Sequence, residues 1–432
     1  MAGVDRIPVI VVAGLDGSAV GRVAEGFLAP GTVVVRHDLG ALEQGVVIRT
    51  VRVGGPVTAP ADVHVEWIDL DHGCVSCTLE HDLLPFLRRL ARRDGVDRIV
   101  LELDPIIEPE PLCHAVNHHV VAGMVGYVDA PAGADVRVEA VIGCVDVGSW
   151  LEHAGGDETL VEAGLVAEDA DERTLAQVVV GQVDFADAIV AHGTAPARTW
   201  DDARTFAALR RLNPLAPIVL EMPERPMTRS IVEGLMEAVP ADARRGRVFG
   251  AHDPLLRGQP SLTSDCGVQL VEFLARRPFH PERLHEAIDV LLDGVVSARG
   301  RLWVASQPAE ALWLESAGGG LRVAAGGPWL AAMSDTERLA QDAGRRVLAE
   351  VSWDPVYGDR NTYLVVLAHQ ADPDLIRAVL AGALLTDVEY ALGQQQWSGY
   401  PDPFGQFHEE PCGETEFAER QSSDQSINGE SR

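Results

Sequence analysis

Two short stretches carry residue types that could do chemistry. Residues 10–22 read IVVAGLDGSAVGR, an apolar strand running into Gly14 and Gly17, which is the setting of a phosphate-binding loop. A working loop reads G-x-x-x-x-G-K-[ST]: backbone N–H groups cradle phosphate, Lys neutralises it, and the hydroxyl holds Mg²⁺. Here Val20 and Gly21 stand where the Lys and the hydroxyl belong. Gly14 and Gly17 still support a tight strand-to-helix turn, whose helix N-terminus attracts anions. Losing one buried charge contact costs about 2–5 kcal/mol, roughly 30- to 5,000-fold in affinity. The loop reads as a structural relic rather than a hydrolysing site. That argues against GTP and Mg²⁺ as working cofactors.

The second stretch is HGCVSC, residues 72–77. Two thiolates at C-x-x-C spacing can grip one zinc ion, and a closed zinc site needs about four ligands. Asp69, His72 and His81 are the nearby donors, and Ser76 between the cysteines is a poor zinc ligand. Two free buried thiols, or a reversible redox disulfide, are the other readings of Cys74 and Cys77. Two more clusters are weaker. CHAVNHH offers Cys113, His114 and His118 near one helical face, with His119 beside them. HEEPC offers His408 and Cys412 in a terminal tail. RRPFH, residues 276–280, is either a contact surface or polar structure capping the helix that follows.

The elements that must position these residues alternate. IPVIVVA, TVVVRHD, VVIRTVRV, RIVLELD, VRVEAVIGCVD and DAIVAH are strand candidates, several apolar on both faces. LEHDLLPFLRRLARR puts Leu79, Leu83, Phe86, Leu87 and Leu90 at helical spacing, with Pro85 in an early turn. Strands alternating with helices predict a doubly wound, mostly parallel α/β domain over residues 1–239. Residues 240–265 are rich in Gly, Pro and Arg without sustained periodicity and read as a linker. Over 266–404, VQLVEFLA leads through a helix after Pro281 to the hairpin-like GRLWVASQ and ALWLESAGGGLRVAAG. A helix near 336–350, the strand TYLVVLAH and the helix DPDLIRAVLAGALL complete a smaller α+β domain. Residues 405–432 form a polar, acidic tail expected to be disordered.

Composition bounds the function. The chain has 432 residues, 47% of them hydrophobic, and no apolar run long enough to span a bilayer. Six cysteines in so long a chain do not make a disulfide scaffold, so a cytoplasmic location is expected. With 65 acidic and 35 basic residues the net charge is −30, which opposes direct, extensive RNA binding and favours a protein partner with a basic face.

Together these motifs resemble the CobW-like family of metal-handling GTPases, over nearly the whole chain to about residue 404. GLDGSAVG, GCVSC, ELDPIIEPEP and AHGT stand where that family has its phosphate loop, its GCxCC, its ExxGLADPxP and its guanine-reading NKxD. RRPFHPERL, RGRLW, GDRNTYLVV and ALLTDVE match the second domain. The resemblance implies a degenerate P-loop NTPase-like domain followed by a CobW C-terminal-type domain. It aligns Cys74 and Cys77 with the family's first and third cysteines, and Asp69 with a Glu near the metal.

One branch is closer still. HGCVSC, VGQVDFAD, VEFLARRPFHPERLHEAIDVLLDGVV, RGRLWVA and WLESAGGGLRVA, with DPFG and a closing GESR, resemble the actinobacterial ribosome-hibernation-factor recruitment family. That resemblance implies a non-hydrolysing, zinc-responsive adaptor that recruits a hibernation-promoting factor to ribosomes under zinc starvation. Zinc would bind reversibly at Cys74, Cys77 and Asp69. The alternative is a zinc metallochaperone with residual nucleotide binding or weak GTPase activity.

Overall fold

The computed structural model describes residues 6–55, 61–70, 75–165, 171–195 and 199–406, with the side chains of Ser76, Cys77 and Gln406 outside that description. Its first eight long strands are β1 (Ile7–Gly14), β2 (Thr32–Asp38), β3 (Val46–Val53), β4 (Asp62–Asp69), β5 (Arg98–Glu102), β8 (Val136–Asp146), β9 (Ala188–His192) and β10 (Ile218–Leu220). Two short strands, β6 (Val120–Val121) and β7 (Ala130–Pro131), pair only with each other. The large sheet has the order β10-β9-β8-β1-β5-β2-β3-β4. It is parallel from β10 to β2; β3 runs antiparallel to β2, and β4 antiparallel to β3. β4 therefore runs in the same direction as β1.

Both faces of this sheet are covered, which is why its central strands are unbroken apolar runs. In β1, Val9 and Val11 face one core together with Leu83 and Leu87, while Ile10 and Val12 face another with Val20, Val23 and Leu235. The second core is closed by α1 (Gly17–Gly26) and by α8 (Arg229–Ala238). The first core is closed by α3 (Leu84–Ala91) and α4 (Pro109–His118), with α2 (Val75–Thr78) and a π-helical turn at Leu79–Leu83 leading into α3. α5 (Trp150–Ala154), α6 (Leu175–Asp184) and α7 (Thr199–Leu212) complete this part.

A second sheet is antiparallel throughout, in the order β11-β15-β12-β13-β14. Its strands are β11 (Gln269–Ala275), β12 (Val295–Leu302), β13 (Glu310–Ala317), β14 (Gly320–Pro328) and β15 (Thr362–Ala368). The structure is thus a mostly parallel α/β sheet followed by a smaller α+β unit built on a second sheet. The expected helix near 336–350 is two helices, α10 (Asp335–Ala340) and α11 (Ala343–Ser352), because Gln341 leaves helical geometry and Asp342 caps a new start. The expected hairpin-like pairing is present, with Gly300, Arg301 and Leu302 at the end of β12 opposite Leu314, Trp313 and Leu312 of β13, and β13 turns back again into β14; β12 begins earlier than expected, at Val295.

The segment 240–265 carries neither helix nor strand, yet it is packed. Leu255 joins Val179, Val183, Leu270 and Val365 in one apolar cluster between the two sheets. Arg244 and Arg299 both bond Asp184 at the end of α6, the former at 3.0 Å. Among the described residues no helix is long and apolar enough to cross a membrane.

Candidate nucleotide and metal site

β1 leads into α1 through Gly14 and Asp16. Gly14 is required by close approach: a Cβ there would lie 2.7 Å from the carbonyl oxygen of Cys144 on β8. Asp16 caps α1, its Oδ1 accepting from the Ser18 N–H at 2.8 Å. Burial pushes the Asp16 carboxyl up, but amide bonds from Ser18 and Ala19 and the nearby His192 outweigh it and hold it below its usual range. The helix N-terminus, where a phosphate would dock, is thus met by the chain's own carboxylate. Val20 is fully buried in the core beneath the loop. Gly21 faces Glu102, whose Oε1 would sit 3.4 Å from an added Cβ.

Glu102, at the end of β5, is buried and held by two arginines. Arg36 Nη1 donates to its Oε1 at 3.1 Å, and Arg52 bonds its other oxygen while reaching Glu25 of α1 at 3.2 Å. Arg22 makes a bidentate pair with Glu221, both contacts 2.8 Å. In AHGT, His192 Nε2 is buried, has no hydrogen-bond partner among the described residues, and lies 3.8 Å from Asp16 Oδ2. Val20 and Gly21 stand where a phosphate loop carries its Lys and hydroxyl, and among the described residues ion pairs within the chain occupy the surroundings. Beside the loop, a cavity of about 240 Å³ opens between β8 and helices α5 and α6, lined by Asp16, Asp146, Trp150, His153 and Gln182. Its two carboxylates disfavour a phosphate group.

The C-x-x-C segment follows β4, which ends at the same carboxyl end of the sheet as β1 and its loop, with β5, β2 and β3 between them. Cys74 lies outside the described residues, as do His72 and the Cys77 side chain; the Cys77 backbone belongs to α2. Asp69 is exposed at the last position of β4, and His81 is exposed on the π-helical turn. On the buried side of that turn, Asp82 receives Arg49 and sits 2.7 Å from His37 Nε2. Burial pushes Asp82 up, but His37 and Arg49 outweigh it and lower it overall. Asp104 accepts from the Leu39 N–H at 3.1 Å; burial, opposed by that bond, leaves its carboxyl raised. Among the described residues no group of three or more His, Cys, Asp or Glu side chains could hold a metal ion.

The other clusters resolve as structure. The α4 helix turns Cys113 into the core, where burial raises its thiol, while His114 and His118 are exposed with ring centroids 4.8 Å apart. The expected shared face for all three does not exist. In RRPFH, Phe279 is core, Arg277 bonds the Leu385 carbonyl and Asp387, and His280 stands at the N-cap of α9 (Pro281–Ala287). His408 and Cys412 lie outside the described residues.

Sequence reasoning missed Asp16, Arg36, Arg52 and the His37–Asp82–Arg49 group. An Asp just before a helix is a readable cap signal. Arg36 and Arg52 also leave a trace, as charges within otherwise β-branched runs, but their meeting at Glu102 depends on strand order.

A mostly parallel sheet whose first strand leads through a glycine loop into a helix, joined to an antiparallel unit, is the fold of a P-loop-like domain with an appended second domain. The CobW/HypB/UreG nucleotide-binding domain model matches residues 45–220, and the cobalamin synthesis protein cobW C-terminal domain model matches residues 268–384. The chain belongs to the CobW/HypB/UreG family. It is 44% identical over 428 residues, 99% of this chain and 100% of the relative, to a Mycobacterium tuberculosis protein named zinc chaperone Rv0106. It is 26% identical over 345 residues, 78% of this chain and 70% of the relative, to zinc-regulated GTPase metalloprotein activator 1 of Dictyostelium discoideum. A solved structure of Zn(II)-bound YjiA GTPase from E. coli aligns over 88% of this chain and 100% of that one, at 15% identity and a TM-score of 0.38.

Proposed function

We propose that this chain is a zinc metallochaperone-type protein of the cytoplasm that binds and releases zinc without nucleotide turnover. The relative named zinc chaperone, matched over its whole length, supports the zinc part. The single observation that carries the absence of turnover is the capped loop: Asp16 occupies the α1 N-terminus, and Val20 is buried where Lys would act. Zinc is cargo here. Cys74 and Cys77 supply two thiolates, with Asp69 at the end of β4 as a carboxylate donor. Ser76 leaves the set short of thiolates, which favours a labile site over a structural staple.

The same loss of turnover favours a finer reading, in which the zinc-bound and zinc-free chains differ in what they bind. An adaptor needs a surface that changes with zinc, not a hydrolytic cycle. On that reading the chain recruits a hibernation-promoting factor to ribosomes when zinc is scarce, as the motif resemblance implies. The net charge of −30 suits contact through basic protein faces rather than RNA. The test pairs GTP turnover of the purified chain with a partner pull-down using wild type, Cys74→Ala and Cys77→Ala, each with added zinc and with chelator. Negligible turnover and capture whose zinc dependence vanishes in both variants are expected. Robust guanine-specific turnover overturns the first part; a captured hibernation factor with unchanged zinc dependence in both variants removes the cysteines as sensor. Failure to capture that factor under any condition leaves zinc handling standing and removes recruitment.

A further inference from the structure

β4 is the outermost strand of the large sheet: among the described residues it pairs with β3 and with no other strand. A free edge presents unpaired N–H and C=O groups that template another strand. One face of this edge is apolar and open, with Val63, Val65 and Trp67 at 53%, 55% and 70% exposure. In register they lie on the same face as Arg52, Thr50 and Ile48 of β3. The polar side chains of residues 62–67 sit on the opposite face: the carboxylates Asp62 and Glu66, the latter bonded by Arg49, and between them His64, whose Nε2 is 3.0 Å from Asp62 Oδ2. Soluble chains normally blunt so long and apolar an edge.

The order of residues along β4 is complementary to itself. We propose that the occupant of this edge is a second copy of the chain, with β4 pairing antiparallel to β4 about a two-fold axis at Val65. With the axis there, Val65 faces Val65 of the second copy. Val63 faces Trp67 and His64 faces Glu66, each twice. β-Branched–aromatic pairs and polar side-chain pairs across strands stabilise a sheet, and like charges directly opposite destabilise it. Moving the axis to residue 64 sets His64 against itself and Asp62 against Glu66; moving it to 66 sets Glu66 against itself. Of the registers that keep most of β4 paired, the one centred on Val65 sets no carboxylate opposite another, as hydrophobic patterning fixes register elsewhere. The resulting contact is isologous and closes at two copies.

One strand edge is a small contact beside the roughly 1,200–2,000 Å² of stable interfaces, so the dimer is weak, with a Kd on the order of 10 µM or above. The net charge of −30 on each copy opposes association, so salt that screens it strengthens the dimer.

Sedimentation equilibrium of the full chain tests this, with wild type, Val65→Lys, Val65→Glu and an equimolar mixture of the two variants. Val65 is more than half exposed, so both variants keep the fold, which circular dichroism checks. Wild type is expected to show a reversible dimer that strengthens between about 0.05 and 0.5 M salt. Each variant alone should associate at least tenfold more weakly, because like charges meet at the axis. The mixture should recover a dimer, because Lys then meets Glu. A wild type that stays monomeric, variants that associate like wild type, or a mixture that stays monomeric each overturn the proposal. So does a monomer whose residues 62–69 are protected from hydrogen exchange until residues 407–432 are deleted, which would assign the edge to the chain's own tail.

Discussion

Replacing Asp16 separates its two roles, helix cap and internal anion. Asp16→Ala removes the 2.8 Å bond to the Ser18 amide and the negative charge at the α1 N-terminus. Loss of such a cap costs about 0.5–2 kcal/mol, typically near 1. Asp16→Asn keeps a capping oxygen and loses only the charge, worth about 0.3–1 kcal/mol and toward the lower end for a side chain 39% exposed. Hydrogen exchange of the first α1 turn reads both: about fivefold faster in Asp16→Ala and about twofold faster in Asp16→Asn. The pH dependence has a definite sign. The folded carboxyl is held below its ordinary value of 3.8, so its stabilising effect is fully present above that value and is lost as pH falls through the folded one. Asp16→Asn should lack this acid-side loss. Faster exchange in Asn than in Ala would refute the cap assignment. Tight GTP binding gained by Asp16→Asn alone would refute the view that the missing Lys and hydroxyl block nucleotide.

Gly14→Ala should destabilise the chain by about 1–3 kcal/mol, read as a lower thermal midpoint, because its methyl meets the Cys144 carbonyl at 2.7 Å. Cys113 and Cys144 are buried and should stay unlabelled by a thiol reagent in the native chain, while Cys266, its thiol also raised but partly exposed, labels slowly; mass spectrometry of the peptides distinguishes them. Burial, with Glu315 nearby, pushes the Glu110 carboxyl from 4.5 up to about 7. The folded chain then holds a proton that the unfolded chain releases, so stability falls as pH rises from about 4.5 to 7, and Glu110→Gln should abolish that part of the decline in urea unfolding.

The central strands are legible in sequence because both of their faces are buried; VRVEAVIGCVD, for instance, matches β8 residue for residue. β4 is not, although DVHVEWID alternates cleanly, since its apolar residues face solvent and no core claims them. The π-helical turn at Leu79–Leu83 shares the periodicity of the helix it precedes, so only the fold separates them. At the loop, the missing Lys and hydroxyl are readable from residue types at fixed spacing. What replaces them is not, because Glu102 meets Arg36 and Arg52 across strands brought together by a crossover. The segment 240–265 reads as a loose linker because packing through isolated residues such as Arg244 and Leu255 has no period.

Zinc handling uncoupled from nucleotide is tested most directly by a competitive zinc titration of the purified full chain against a chromophoric chelator, with and without saturating GTP and Mg²⁺. One zinc per chain is expected, with the same affinity in both conditions and loss of that zinc in Cys74→Ala/Cys77→Ala. Zinc retained by the double variant, or an affinity that shifts tenfold or more when GTP is added, would contradict it.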